Sequence, residues 1–242
     1  MSTPAQPIAV IDFETTGMSP GQGARATEVA IVLVDRDGRA VDRFQSLMKT
    51  GAWIPPFITQ LTGITPAMLE TAPPADAVMR EAARFVGGAP MVAHNASFDS
   101  RFWAAELALA GLPAPHAFAC TVLLSRRMYP EAASHQLGRI VAHLGLPRAE
   151  RAHRALADAE MAAALLGRIQ QDLRTRFRIA DPGHALLSAL QRCARKGMDK
   201  LLAQHAAHSL PLPGMAQPPG PAACGTAPDR PLPGGAALAR QA

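Results

Sequence analysis

Cysteine is scarce in this chain of 242 residues, where Cys120, Cys193 and Cys224 stand far apart. That spacing excludes a disulfide framework and a closed cysteine-zinc site, and it is the pattern of reduced thiols in a cytoplasmic protein. Aromatic residues make up only 5%, too few for an extended stacking platform. No apolar run reaches the ~18 residues of a membrane span, and no basic-then-apolar leader is present, so neither membrane insertion nor secretion is expected. Lysine is confined to Lys49, Lys196 and Lys200, so the formal net charge of +5 rests on arginine. A pI near 9.7 favours a polyanionic partner. An arginine-rich composition gives the same balance without one.

Hydrophobic residues at 48% suit a globular fold with one sizeable core. Within it, three separated segments carry four carboxylates and one imidazole. The first follows Ile8-Ala9-Val10-Ile11, apolar on both alternating faces, as in a strand buried between two layers. Side chains alternate along a strand, so Asp12 and Glu14 project from the same face, about 7 Å apart. Two such carboxylates repel each other, and a divalent cation between them relieves the cost. Thr15, Thr16 and Gly17 then turn the chain. Gly17 serves equally as a plain turn residue or as a point of close backbone approach for a ligand.

The second segment follows the short apolar strand Met91-Val92-Ala93 and leads into a helix marked by Phe102, Leu107 and Leu109. Asn95 or Ser97 is placed to cap it, leaving Asp99 in the first turn, where the helix dipole stabilises an anion. Asp99 is therefore a candidate ligand or a plain helix-start acid, and Phe98 a core ring or a surface for a base to stack on. In the third segment Met161, Leu165, Leu166, Ile169 and Leu173 predict a helix from about Ala155 to Arg176, with Asp158 in its first turns. Five helical residues turn through about 500°. His153 and Asp158 would then face differently, so His153 belongs to the preceding loop, free to swing over a site of fixed carboxylates.

In order and spacing, these motifs resemble those of the DEDDh 3′-to-5′ exonuclease family, which includes the proofreading epsilon subunit of bacterial DNA polymerase III, oligoribonuclease and RNase T. The resemblance runs from about residue 7 to 175, and a histidine five residues before the last aspartate marks the histidine subfamily. Leu61-Thr62-Gly63-Ile64-Thr65 resembles the family's substrate-side loop, and Thr121 to Arg127 its penultimate strand or helix start. Cys120 departs from the Asp that many relatives carry before that Thr.

The resemblance implies that Asp12, Glu14 and Asp158 hold the metal that carries the attacking water. It further implies that Asp12 bridges to a second metal, that Asp99 assists through bound water, and that His153 takes the water's proton. All-oxygen ligation suits two Mg²⁺ or Mn²⁺ ions about 3.5 to 4 Å apart, and imidazole titrates near neutrality. Contacts to a nucleic acid 3′ end are expected from Thr15, Thr16, Gly17, Leu61, Gly63, Ile64, Asn95 and Phe98.

Residues 28–35, an Asp37-Gly38 turn and residues 40–48 read as further antiparallel strands, followed by alternating helical and strand patterns. This is the ribonuclease H-like plan: an α/β fold whose mixed sheet is an antiparallel three-strand meander followed by parallel strands, with helices on both faces. The expected division is an exonuclease domain over 1–178, a basic helical appendage over 179–209 bearing Arg192, Arg195, Lys196 and Lys200, and a Pro/Gly/Ala-rich tail over 210–242 without packed structure. Three functions fit: trimming of single-stranded or frayed DNA 3′ ends, the same chemistry on RNA, and an accessory subunit whose main task is to bind a polymerase.

Overall fold

The computed structural model describes residues 6–149 and 153–209. The expected tail over 210–242 lies outside the described residues. Strand β1 (Ile8–Thr15) is followed by β2 (Ala26–Val34), β3 (Ala40–Leu47), three short helices α1 (Pro56–Thr62), α2 (Pro66–Glu70) and α3 (Ala75–Val86), then β4 (Met91–Ala93) and α4 (Ala96–Leu109). After β5 (Phe118–Cys120) come α5 (Thr121–Met128), α6 (Leu137–His143), α7 (Ala155–Phe177), α8 (His184–Arg192) and α9 (Met198–Ser209).

The five strands lie in the order β3-β2-β1-β4-β5, with β1 central. β1 pairs antiparallel with β2, and β2 with β3, whereas β1 to β4 and β4 to β5 are parallel. Meander, parallel half and two helical layers agree with the plan expected from the sequence. The double-sided apolar character of β1 explains the layering. Ile8 and Val10 enter a cluster with α7 residues such as Leu165, Leu166 and Ile169. Ala9, Ile11 and Phe13 enter the opposite cluster with Met79, Phe102 and Trp103 of α3 and α4. Asp12 and Glu14 continue the phase of Ile8 and Val10, so both project toward the α7 side.

Two glycines set how closely α7 approaches the sheet. A Cβ on Gly38, in the β2–β3 turn, would lie 2.7 Å from the Gly167 Cα, and one on Gly167 would lie 2.5 Å from the Gly38 carbonyl oxygen. Only a pair without side chains permits this backbone contact.

The expected appendage is not separate. Leu186, Leu187 and Leu190 of α8 and Leu202 of α9 are buried in the same cluster as Val10 and Leu166, and both helices belong to the compact unit that contains the sheet. Gln191 closes the edge of β5: its side-chain Oε1 accepts the Cys120 N–H at 2.7 Å and its amide donates to the Phe118 carbonyl at 3.3 Å. Composition drew attention to Arg192, Arg195, Lys196 and Lys200, all exposed, and obscured the leucine stripe on the other face. No helix among the described residues is long and apolar enough to cross a membrane.

Candidate active site

The carboxylates converge at the carboxyl end of the parallel strands. Val10 pairs with Val92, so the chain leaving β4 at His94 and Asn95 emerges beside Asp12. From there α4 carries Asp99 in its first turn. Asp99 is buried, and its Oδ1 accepts the Phe13 backbone N–H at 3.3 Å, which ties α4 to β1 between Asp12 and Glu14. Asp158 lies in the first turn of α7, and its Oδ2 accepts the backbone N–H of His153 at 3.1 Å. His153 belongs to the loop before α7, as its spacing predicts, and is exposed with a positive φ of 63°. Asn95 shares that left-handed conformation at φ 70°. Both residues border the cleft, where held backbone strain is common.

Burial raises the pKa of every acid in the group, and repulsion from neighbouring carboxylates adds to it at Asp12 and Glu14. Glu14 is pushed up to about 8 by burial and then by Asp158 and Glu28, with Arg154 acting against them. Burial also lifts Asp99 to about 7, in spite of the Phe13 N–H bond. Asp12 is raised well above the usual range by burial and then by Asp99, Asp158 and Glu14. Asp158 is raised by burial too, opposed by the His153 N–H and the nearby imidazole. A concentrated negative charge held in low dielectric is the environment that a divalent cation neutralises. Ligand atoms from Glu14, His153 and Asp158 lie within 4.8 Å of one another. The oxygen-rich set fits a hard cation such as Mg²⁺ or Mn²⁺.

A cleft with two lobes surrounds these groups. Asp12, Met18, Phe98, His153 and Asp158 line both lobes, one of about 280 Å³ and the other of about 740 Å³. The smaller includes Glu14, Thr15, Gly17, Phe57, Ile58, Leu61 and Thr62. The larger includes His94, Asn95, Gln136, Arg139 and Arg148.

Residues 9–166 match the exonuclease family model. The chain belongs to this family. The DEDDh resemblance and the ribonuclease H-like architecture expected from the motifs hold. With the 3′-5′ exonuclease DinG of Bacillus subtilis (strain 168) the chain shares 38% identity over 170 residues, 70% of this chain and 18% of that protein. The DNA polymerase III subunit epsilon-like protein of Rhodobacter capsulatus is 36% identical over 171 residues, 70% of this chain and 24% of that protein. The chain thus spans less than a quarter of the length of either relative. The solved structure of Exonuclease X in complex with 5′ overhanging duplex DNA aligns with a TM-score of 0.56 at 26% identity, covering 81% of this chain and 99% of that one.

Within this exonuclease domain, Thr15, Gly17, Leu61, Asn95 and Phe98 line the cleft, whereas Thr16, Gly63 and Ile64 do not. Ile64 is fully buried in a satellite cluster with Ile54 and Leu69, and Gly63 ends α1 at φ 73°, donating its N–H to the Thr59 carbonyl. Of that trio only Leu61 faces the cleft. The Thr15 hydroxyl donates to the Gly17 carbonyl, and the Thr16 hydroxyl accepts the Arg25 N–H, so both shape the turn. Neither Asn95 nor Ser97 caps the α4 backbone with its side chain; Asn95 instead accepts the Ser97 hydroxyl at 3.5 Å. Leu109, expected in the helix core, is exposed.

Other residues at the site gave no motif signal. Met18 and Phe57, both largely exposed, wall the smaller lobe. His94 donates from Nε2 to the His135 carbonyl at 3.0 Å and meets the Thr121 hydroxyl at Nδ1, joining three segments beneath the larger lobe. Burial pushes its pKa down to about 4, so it is a neutral strut.

Proposed function

We propose that this chain hydrolyses the terminal phosphodiester at 3′ ends of single-stranded or frayed DNA, releasing nucleoside monophosphates with two Mg²⁺ or Mn²⁺ ions as cofactors. The observation that carries the reading is the gathering of Asp12, Glu14 and Asp158 from β1 and α7 on one cleft, with buried Asp99 of α4 held to the Phe13 N–H between the two strand acids, raised pKa values at all four, and His153 at the rim. The four carboxylates are the residues that would hold the cations. Bound there, divalent ions supply charge neutralisation for the phosphate and make water a better nucleophile.

The chain's own groups have separate tasks. His153 accepts the proton of the attacking water, and its fixed backbone bond to Asp158 keeps the loop over the acids. The water oxygen bonds to phosphorus as the bond to the 3′ oxygen of the preceding nucleotide breaks, and that oxygen takes a proton from solvent. Met18, Phe57, Leu61 and Phe98 form an apolar lobe for the base and sugar of the last nucleotide. A cytoplasmic setting suits such a substrate and the scarcity of cysteine.

The second reading is service beside a DNA polymerase, which similarity to the DNA polymerase III subunit epsilon-like protein of Rhodobacter capsulatus favours. Digestion of end-labelled single-stranded DNA, mismatched primer-template and RNA, in Mg²⁺, Mn²⁺ and chelator, tests the substrate and the cofactor together. Metal-dependent release of mononucleotides from the 3′ end of DNA is expected. Preference for RNA would move the activity to RNA ends, and early internal cuts or release from the 5′ end would overturn the assignment.

A further inference from the structure

The two lobes differ in charge as well as in size. No Lys or Arg reaches the smaller one among the described residues, and its walls beyond the acids are largely apolar. The larger carries Arg139 on α6 and Arg148 in the segment after α6. Both are exposed, and neither guanidinium has a carboxylate partner among the described residues. Arg154, by contrast, is committed to Glu28. Free guanidinium groups beside an acidic centre are suited to phosphate oxygens, which they bind through paired N–H donors.

Resting on the exonuclease reading above, we infer that Arg139 and Arg148 bind the phosphates on the 5′ side of the scissile bond. The strand then enters along the larger lobe and ends in the smaller one. The geometry constrains the path: Asp12, His153 and Asp158 stand where the lobes meet. A terminal nucleoside seated in the apolar lobe leaves the preceding strand to pass through the other. Polyanion backbone crossing a cluster of carboxylates needs cationic groups beyond it, and these two arginines provide them.

The test is binding of a fluorescein-labelled twelve-residue oligothymidylate to the full chain in Ca²⁺ as a function of salt, with thymidine 5′-monophosphate as the short probe. The double variant Arg139→Ala/Arg148→Ala is expected to weaken oligomer binding roughly tenfold and to lower the slope of log affinity against log salt by about 1.4, at about 0.7 per phosphate contact on a single strand. Affinity for the mononucleotide should stay within about twofold of the parent, because that probe does not extend past the acids. Circular dichroism establishes that the double variant is folded. Parental oligomer affinity and slope in the folded double variant would overturn the assignment, as would an equal loss for both probes. The same result follows if the slope falls instead in Arg195→Ala/Lys196→Ala. A parent that binds neither probe would reject the exonuclease reading itself, an outcome distinct from failure of the arginine path.

Discussion

Arg154 grips Glu28 with two donors, Nη2 at 2.6 Å and Nε at 3.1 Å, and Glu28 is the residue directly opposite Glu14 in the β1–β2 ladder. Two glutamates facing across a buried pair of strands would repel each other. Burial tends to raise the Glu28 pKa, but hydrogen bonds from Arg154, the Ala155 N–H and Gln45 outweigh it and bring it below its ordinary value. The ion pair fastens β2 to the start of α7, with His153 immediately before the guanidinium and Asp158 one turn after it.

Arg154→Ala is accordingly expected to destabilise the fold by about 3 kcal/mol, near the low end for breaking a buried pair because water reaches the guanidinium. Activity should fall further than unfolding explains, since the loop carrying His153 loses its anchor. Urea denaturation and turnover measured on the folded variant check both parts. A parental midpoint would remove Arg154 from this role.

Asp12→Ala and Asp158→Ala are expected to abolish hydrolysis while leaving the protein folded, and chelation should do the same reversibly. Each change removes one carboxylate from the set that would hold the cations. Near-parental turnover by purified Asp12→Ala protein would rule out the two-metal reading.

Stability without metal should fall as pH rises. The folded pKa values of Glu14, about 8, and Asp99, about 7, lie above the roughly 4 of carboxylates in an unfolded chain. The folded state therefore holds protons that the unfolded state has lost, and the slope of stability with pH is negative between those limits. Chelator-treated protein should melt at a higher temperature at pH 6 than at pH 8.5, and Mg²⁺ should raise the melting temperature more at pH 8.5. A flat or opposite trend would mean that the acids are neutralised by another group.

His153→Ala should lower turnover by roughly 10² to 10⁴ fold, the range for one general base, while the Mg²⁺-induced rise in melting temperature persists. The imidazole is close enough to Glu14 and Asp158 to ligate an ion, so the melting experiment separates the two roles. Loss of the cation-induced rise would make His153 a ligand.

Ending the chain at Arg178 should yield an unstable or insoluble protein. It deletes Leu186, Leu187, Leu190 and Leu202 from the core. Burial of each leucine contributes about 1.5 to 3 kcal/mol, and together that is comparable with the ~5 to 15 kcal/mol that holds a whole domain. A truncated protein with the parental melting temperature would restore the division at 178.

The strand-borne acids were legible because alternation is a local rule: the apolar phase of Ile8 and Val10 dictates where Asp12 and Glu14 project. The loop position of His153 followed from helical angles in the same way. Glu28 and Arg154 escaped notice because they are 126 positions apart, and no local period connects them. Gly63 and Ile64 misled for the opposite reason. Their motif is contiguous with Leu61, but in the fold one ends a helix and the other fills a core. The short α6, with only Ile140 and Val141 buried, offers too few apolar positions to define a period.

The side chain of Gln191 has a consequence beyond holding α8 in place. An outermost strand normally leaves its backbone free to recruit a strand from another molecule, by design in some complexes and by accident in aggregates. One primary amide, offering an acceptor to Cys120 and a donor to Phe118, does the work of a sixth strand on that side. The sheet's open flank is then β3, where Asp42 and Arg43 are exposed. A hydrophobic replacement at Gln191 would free that edge, so its first symptom could be self-association of a protein whose cleft was untouched.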